Sequence, residues 1–193
     1  MVNIVKDIDP IELTKDYDVV MVGVSINNTF LDGFQRKIGL KYPYVYKQYK
    51  KLPYANRQRL GQNEYIEVYH KPIIALMHIC AFPRKNYESI DYGGLEQCLM
   101  SINSKYPGMK CMTVIPGCSW FDGNADKEKV LQIINDTCYD LDVTVYDYQQ
   151  KHWRQEVAET LREWDALKDT EPDKYAEIWE NRKKLLRAKH ISR

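Results

Sequence analysis

Two loops carry the residue types that could do chemistry. The first spans residues 25–34 and holds Ser25, Asn27, Asn28 and Thr29, then the pair Asp32-Gly33, then Phe34. It follows a continuous apolar run at 19–24, the pattern of a strand buried on both faces, and precedes Phe34, Ile38 and Leu40 at helical spacing. A polar, glycine-containing loop between a buried strand and a helix N-terminus puts free backbone N–H groups at the carboxyl edge of a sheet, where anions are commonly bound. An ordinary βα turn has the same letters, and both readings stand at this point. The second loop, at 117–124, repeats the logic: Gly117, Cys118, Ser119, Trp120, Phe121, Asp122, Gly123 and Asn124 lie between the apolar segment 109–115 and a helical pattern at 126–137. Asp7 and Ile8 end a short strand candidate at 3–8 and would share the same sheet edge.

Totals narrow the classes. With 193 residues, 44% of them apolar, the chain suits one core with an appendage rather than two domains with separate cores. Its 28 basic and 27 acidic side chains nearly cancel, which leaves no electrostatic case for nucleic acid or an anionic membrane as general partner. No apolar run reaches the length of a membrane span, and the start lacks the layout of a signal peptide, so the expected setting is soluble and cytoplasmic. Five cysteines without CxxC spacing, mostly in apolar segments, read as buried reduced thiols. The four histidines lack HxxxH spacing, and we expect no metal site and no cofactor.

The elements that must position the loops follow from periodicity. Beyond those above we expect a short helix or turn at 11–17, a helix at 34–40, and a restart at 44–52 with Pro43 at its first position. A strand at 65–69 turns at His70-Lys71-Pro72 into a second long buried strand at 73–82. Asp91 should cap a helix at 92–106 whose inward face is Leu95, Leu99, Ile102 and Tyr106. The helix at 126–137 should face inward with Val130, Ile133 and Ile134, and a β-branched strand at 142–146 closes the set. Alternating strands and helices with one hairpin call for an α/β fold: a mixed, mostly parallel sheet covered on both faces, in three α-β-α layers. From Gln149 onward strand formers vanish, and two amphipathic stripes, through Trp153 and Trp164 and through Trp179, suggest a C-terminal helical hairpin. The expected division is 1–149 for the α/β body and 150–193 for the extension, which packs on the body or joins two copies into a homo-oligomer.

These segments, in this order, resemble a macrodomain, the α/β module that binds ADP-ribose, over about the first 150 residues. KDI at 6–8 is similar to the family's GDI, whose acidic residue accepts a hydrogen bond from the adenine amine; the resemblance implies that role for Asp7, with Ile8 beside it. GVSINNTFLDGFQRKIGLKYP at 23–43 is similar to HxVNxxxxMGxGIAxxIxxxYP of the branch with ADP-ribose-1''-phosphate phosphatases and glutamate-ADP-ribose hydrolases. Ser25 then stands at the family's asparagine, Leu31 at its first glycine and Gly33 at its second. IPGCSWFDGNA at 115–125 is similar to IGCGxxGGDW, with Gly117 and Cys118 matching, Ser119 at a glycine and Asn124 at the aspartate. VTVYDY at 143–148 resembles VxVYD and implies Tyr146 as a wall of the adenine or distal-ribose region. The implied ligand set is Asp7, Ile8, Ser25, Asn27, Gly33, Phe34, Gly117, Cys118, Ser119, Trp120, Phe121 and Tyr146, with backbone of Gly33 and Phe34 at the diphosphate and Ser25 and Asn27 near the distal ribose.

Departures from the pattern decide how far activity carries over. Leu31 replaces a glycine where backbone must approach phosphate, and Trp120 and Phe121 add bulk to the second loop. Branch enzymes use an aspartate in that loop, and Asn124 cannot replace it, since a neutral amide neither takes a proton nor attacks near pH 7. Asp122, two residues away, and Asp32 are the catalytic candidates, and each sits in an Asp-Gly pair, the commoner setting of which is a solvent-facing turn. The expectation is therefore a binder of ADP-ribose, of ADP-ribosylated protein or of a related NAD-derived nucleotide. Alternatives are a hydrolase acting on ADP-ribose-1''-phosphate or ADP-ribosyl-glutamate, and an interaction scaffold with a vestigial pocket. The bulky second loop also suits a cyclic or base-modified ADP-ribose, met in a host cytoplasm if the protein is phage-encoded.

Overall fold

The computed structural model describes residues 2–28, 30, 33–69, 72–81, 90–117 and 125–147. All of these lie in the first of two units into which the chain divides, Met1–Gln150; the second, Lys151–Arg193, falls outside the described residues, and with it the expected helical hairpin.

Six strands form one sheet in the order β1-β6-β5-β2-β4-β3. They are β1 (Asn3–Lys6), β2 (Val19–Ser25), β3 (Asn63–Glu67), β4 (Ile73–Cys80), β5 (Lys110–Val114) and β6 (Asp142–Asp147). Every neighbouring pair is parallel except β3 with β4, which is antiparallel and joined by the short hairpin. The sheet is thus mixed and mostly parallel, as its sequence pattern requires. β2 and β4 are central and their apolar runs are buried almost without interruption, since side chains of alternate residues meet helices on opposite faces.

The helices are α1 (Gly33–Lys41), α2 (Pro43–Tyr49), α3 (Tyr92–Lys105) and α4 (Lys127–Thr137), with a 3₁₀ helix at Pro10–Asp16. α3 and α4 cover one face: Leu95, Cys98, Leu99, Ile102, Val130 and Ile134 pack on Val19, Met21, Ala75, Met77 and Ile79. α1 and α2 cover the other, where Phe34, Ile38, Val45 and Tyr49 pack on Val20, Val22, Val24, Ile74 and Leu76. Asp91 caps α3 by accepting from the Gly94 N–H at 3.0 Å, and Asp126 caps α4 by accepting from Glu128 and Lys129. Pro43 opens α2, as its fixed φ and missing N–H favour.

Several details differ from expectation. β1 ends at Lys6, where Asp7 turns left-handed, and β4 ends at Cys80, each short of the expected 3–8 and 73–82. β3 starts two residues earlier than the apolar letters suggest, because its register is set by pairing, Asn63 opposite Met77 through Glu67 opposite Ile73, rather than by its own side chains. α2 ends at Tyr49, and Leu52 is reached through a turn in which Lys51 and Leu52 donate back to Gln48 and Tyr49. On α4, Val130 and Ile134 are fully buried while Ile133 is only partly so. Cys80, Cys98, Cys111 and Cys138 are buried and outside any disulfide; burial pushes the Cys98 and Cys111 thiols up to about 12, so they stay protonated and inert. No helix among the described residues is long and apolar enough to cross a membrane.

Candidate functional site

Five parallel strands end on one edge of the sheet, so the segments that follow β1, β2, β4, β5 and β6 emerge side by side. Each described stem is tied down by hydrogen bonds or close packing that begin at the strand end.

After β2 the strand bulges between Val24 and Ser25, and Ser25 pairs with Cys80 out of simple register. The shift re-aims Ser25, whose buried hydroxyl bonds the Asn27 side-chain oxygen, while the Tyr49 hydroxyl donates to the Ser25 carbonyl. Ile26 donates to the Cys80 carbonyl at 3.0 Å and accepts from the Ala55 N–H at 2.9 Å. Asn28 is left-handed, φ 56°, a conformation that asparagine tolerates better than most side chains. Phe30 stacks on Tyr46 and Tyr49, with ring centroids 5.1 and 4.9 Å apart, and Gly39 of α1 makes room for its ring: a Cβ there would lie 2.6 Å from Phe30. Gly33, φ 65°, then opens α1, and Phe34 turns its side chain into the core, leaving its backbone for the sheet edge.

The segment after β5 has a narrow base. Ala125 donates to the Gly117 carbonyl at 2.9 Å, which brings these two described residues together, and Gly117 has φ 71° with no space for a side chain, since a Cβ would lie 2.7 Å from Ile90 Cδ1. The Tyr92 hydroxyl accepts from the Asp126 N–H at 2.9 Å, joining the starts of α3 and α4. Gly23 in the middle of β2 lets Pro116 approach; a Cβ there would meet Pro116 Cβ at 3.1 Å. The segment after β4 is closed at its far end by the Cys80–Ile90 bridge and the Asp91 N–H donating to Ile79.

Asp7 and Ile8 follow β1 in the open: Asp7 is exposed with φ 57°, and Ile8 is 48% exposed. The turn they form is tied to α1 by the Asp9–Lys37 ion pair and by Lys41 donating to the Ile11 carbonyl at 2.6 Å. The β1 turn and the β2 loop are therefore held to one another through α1. At the end of β6, Tyr146 is buried and shares a 2.8 Å hydrogen bond with the Tyr17 hydroxyl; burial raises its pKa, and the Tyr17 contact adds to the rise. Its neighbour Asp147 pairs with Lys127 at the start of α4.

Of the sequence-derived site residues, Asp7, Ile8, Ser25, Asn27, Gly33, Phe34 and Gly117 sit on this edge, and Tyr146 lies in β6 beside it with its hydroxyl turned to Tyr17. Cys118, Ser119, Trp120, Phe121 and both catalytic candidates, Asp32 and Asp122, lie outside the described residues, as do Leu31 and Asn124. Among the described residues no group of three His, Cys, Asp or Glu side chains could hold a metal ion.

One group at this edge has no counterpart in the motif reading. Arg59 and His78 are buried side by side, the guanidinium on the His78 Nε2, against the Tyr49 ring. The available signal was His78 itself, a polar residue within the apolar run of β4 that has to find a buried partner.

No protein-family model matches the chain, and no curated protein matches it. Solved structures do. A protein of unknown function from Bacteroides thetaiotaomicron is similar at TM-score 0.59 and 20% identity, over 77% of this chain and 98% of that one. The macrodomain of Mycobacterium tuberculosis DarG is similar at TM-score 0.60 and 14% identity, over 77% of this chain and 99% of that one. Thermosipho africanus DarTG, solved in complex with ADP-ribose, is similar at TM-score 0.57 and 16% identity, over 78% of this chain and 43% of that one. The chain's α/β body has the macrodomain fold.

Proposed function

We propose that the protein binds ADP-ribose, free or attached to protein, or a related NAD-derived nucleotide, at the carboxyl edge of its sheet. One observation carries this reading: two segments entering helices at that edge, after β2 and after β5, each contain a positive-φ glycine, Gly33 and Gly117, on stems pinned by backbone hydrogen bonds. A diphosphate needs converging N–H donors with little side-chain bulk, and such stems supply them. Asp7 is exposed and can accept from an adenine amine, while Ile8 offers an apolar surface next to it. Ser25 and Asn27 fall nearest the distal ribose, and the segment 118–121 completes the phosphate contacts. The macrodomain fold, and the ADP-ribose complex of a protein that shares it, support the same ligand class. Residues 150–193 form a helical extension of this module in our reading.

Titration calorimetry with ADP-ribose tests it. Saturable heat that weakens in Asp7→Ala is the expected result. No heat and no thermal shift at millimolar ADP-ribose would overturn the reading in favour of a scaffold. Turnover of ADP-ribose-1''-phosphate or of ADP-ribosyl-glutamate, abolished in Asp122→Ala with binding kept, would move it to a hydrolase.

A further inference from the structure

Arg59 closes the short 3₁₀ turn Arg57–Arg59 and is only 7% exposed. Its hydrogen-bond partners are all neutral, and among the described residues the Glu64 carboxylate acts on it only from beyond ion-pair distance. Nη1 donates to the Asn28 side-chain oxygen, to the Pro53 carbonyl at 2.7 Å and to the Ile26 carbonyl at 3.4 Å, and Nη2 faces the His78 Nε2. Removing a guanidinium from water is costly unless its donors find acceptors, and here Nη1 and Nη2 find them on one loop, the segment beyond α2 and a central strand.

Donor arithmetic sets the state of His78. A guanidinium has donors only, so the His78 Nε2 must offer a lone pair; its proton therefore sits on Nδ1, which donates to the Gln62 carbonyl at 2.9 Å. Burial supports the neutral form by holding the ring down to about 4, and the Arg59 charge acts in the same direction. Asn28 is fixed in turn, because its oxygen accepts from Arg59 and its nitrogen donates to the Leu52 carbonyl. Residues 26 and 28 are thereby held on either side of Asn27.

Resting on the binding function proposed above, we propose that Arg59, oriented by His78, is the positioning residue of the ligand loop: its fork holds residues 26–28 in the conformation that presents Asn27 and the start of α1 to the nucleotide. The planar fork is what the geometry uses, because Nη1 serves acceptors on residues 26, 28 and 53 while Nη2 serves His78, four acceptors on three segments bridged from two nitrogens that a single ammonium cannot reproduce. The charge, which Glu64 offsets only from beyond ion-pair distance, adds positive potential beside an expected diphosphate.

The test compares Arg59→Lys, Arg59→Met, His78→Gln and His78→Leu by calorimetry with ADP-ribose, each at a temperature where thermal melts show it folded. In parallel, amide hydrogen exchange at Ile26 and Ala55 is followed without ligand. Arg59→Lys, which keeps the charge, should weaken binding by about tenfold, the worth of one or two charge-assisted hydrogen bonds, and Arg59→Met by more. His78→Gln, which keeps an acceptor for Arg59, should stay within about threefold of the wild type, while His78→Leu should fall with the Arg59 variants. All variants except His78→Gln should exchange faster at Ile26 and Ala55. Wild-type affinity in Arg59→Lys would overturn the positioning role, as would equal losses in His78→Gln and His78→Leu. Should the wild type itself bind no ADP-ribose, the binding function fails, and exchange alone decides whether Arg59 orders the loop: unchanged rates in Arg59→Lys would overturn that as well.

Discussion

The two faces of the sheet are built on different principles. Under α3 and α4 the buried layer is aliphatic and thiol, with Leu95, Leu99, Ile102, Val130 and Ile134 over Met21, Met77 and three protonated cysteines. Under α1 and α2 the aliphatic layer also holds aromatic and polar groups, with Tyr17 on Tyr146, Tyr49 on the Ser25 carbonyl, and Arg59 between Asn28 and His78. The first face obtains its stability from non-directional burial, which tolerates small shifts. The second depends on donors and acceptors that must meet at defined distances, and so it can fix the geometry of a loop. The polar face is the one from which the β2 loop emerges, and burial drives the Tyr49 hydroxyl up to about 12, so it remains a donor across the whole working pH range.

If this division is right, damage to the two faces should read out differently. The largest effect is expected on the dry face: Leu99→Ala, at a fully buried site, should lower the unfolding free energy by about 3 kcal/mol through lost transfer energy and a cavity. Urea unfolding measures that loss. ADP-ribose affinity of the folded variant should stay unchanged, and a parallel loss of affinity would break the comparison.

A similar magnitude is expected from pH on the polar face. His78 titrates near 6.5 when unfolded and is held to about 4 when folded, mainly by burial and against the pull of its Gln62 hydrogen bond. Between those values the unfolded chain binds a proton that the folded chain refuses, so the stabilising contribution is complete above pH 6.5 and declines as pH falls toward 4, by about 3 kcal/mol. Unfolding free energies of the wild type and His78→Gln, measured across that window, should diverge by this amount. Parallel curves would mean that His78 is not the buried neutral acceptor described.

The smallest effect belongs to the stem of the segment after β5. Gly117→Ala should cost about 2 kcal/mol, from a left-handed backbone and a contact with Ile90 that has to yield. Because Gly117 anchors the second loop, the same substitution should also weaken ADP-ribose binding, which a purely dry-face change should not; calorimetry beside urea unfolding separates the two.

Much of the architecture was legible in advance, for local reasons. The burial of β2 and β4 follows from unbroken apolar runs, and the inward face of α3 from spacings of three and four residues. Asp91 and Asp126 announce helix starts because a short carboxylate satisfies N–H groups only a few residues away. The convergence of Asp7, Ser25, Gly33 and Gly117 on one edge follows from parallel strands, whose carboxyl ends must face the same way. The true start of β3 was not legible, since its residues alternate weakly and its register is imposed by β4.

The chain's letters alone thus determined which segments are strands and helices and which loops share an edge, because those choices depend on periodicity and on partners a few residues apart. Only the tertiary structure decided how the first loop is held. Arg59 reaches Ile26 and Asn28 from more than thirty positions away and His78 from nineteen, and no local pattern marks an arginine whose partners are carbonyls and a neutral imidazole. A hydrogen-bond network closed across the fold exists only once the sheet has brought its members together.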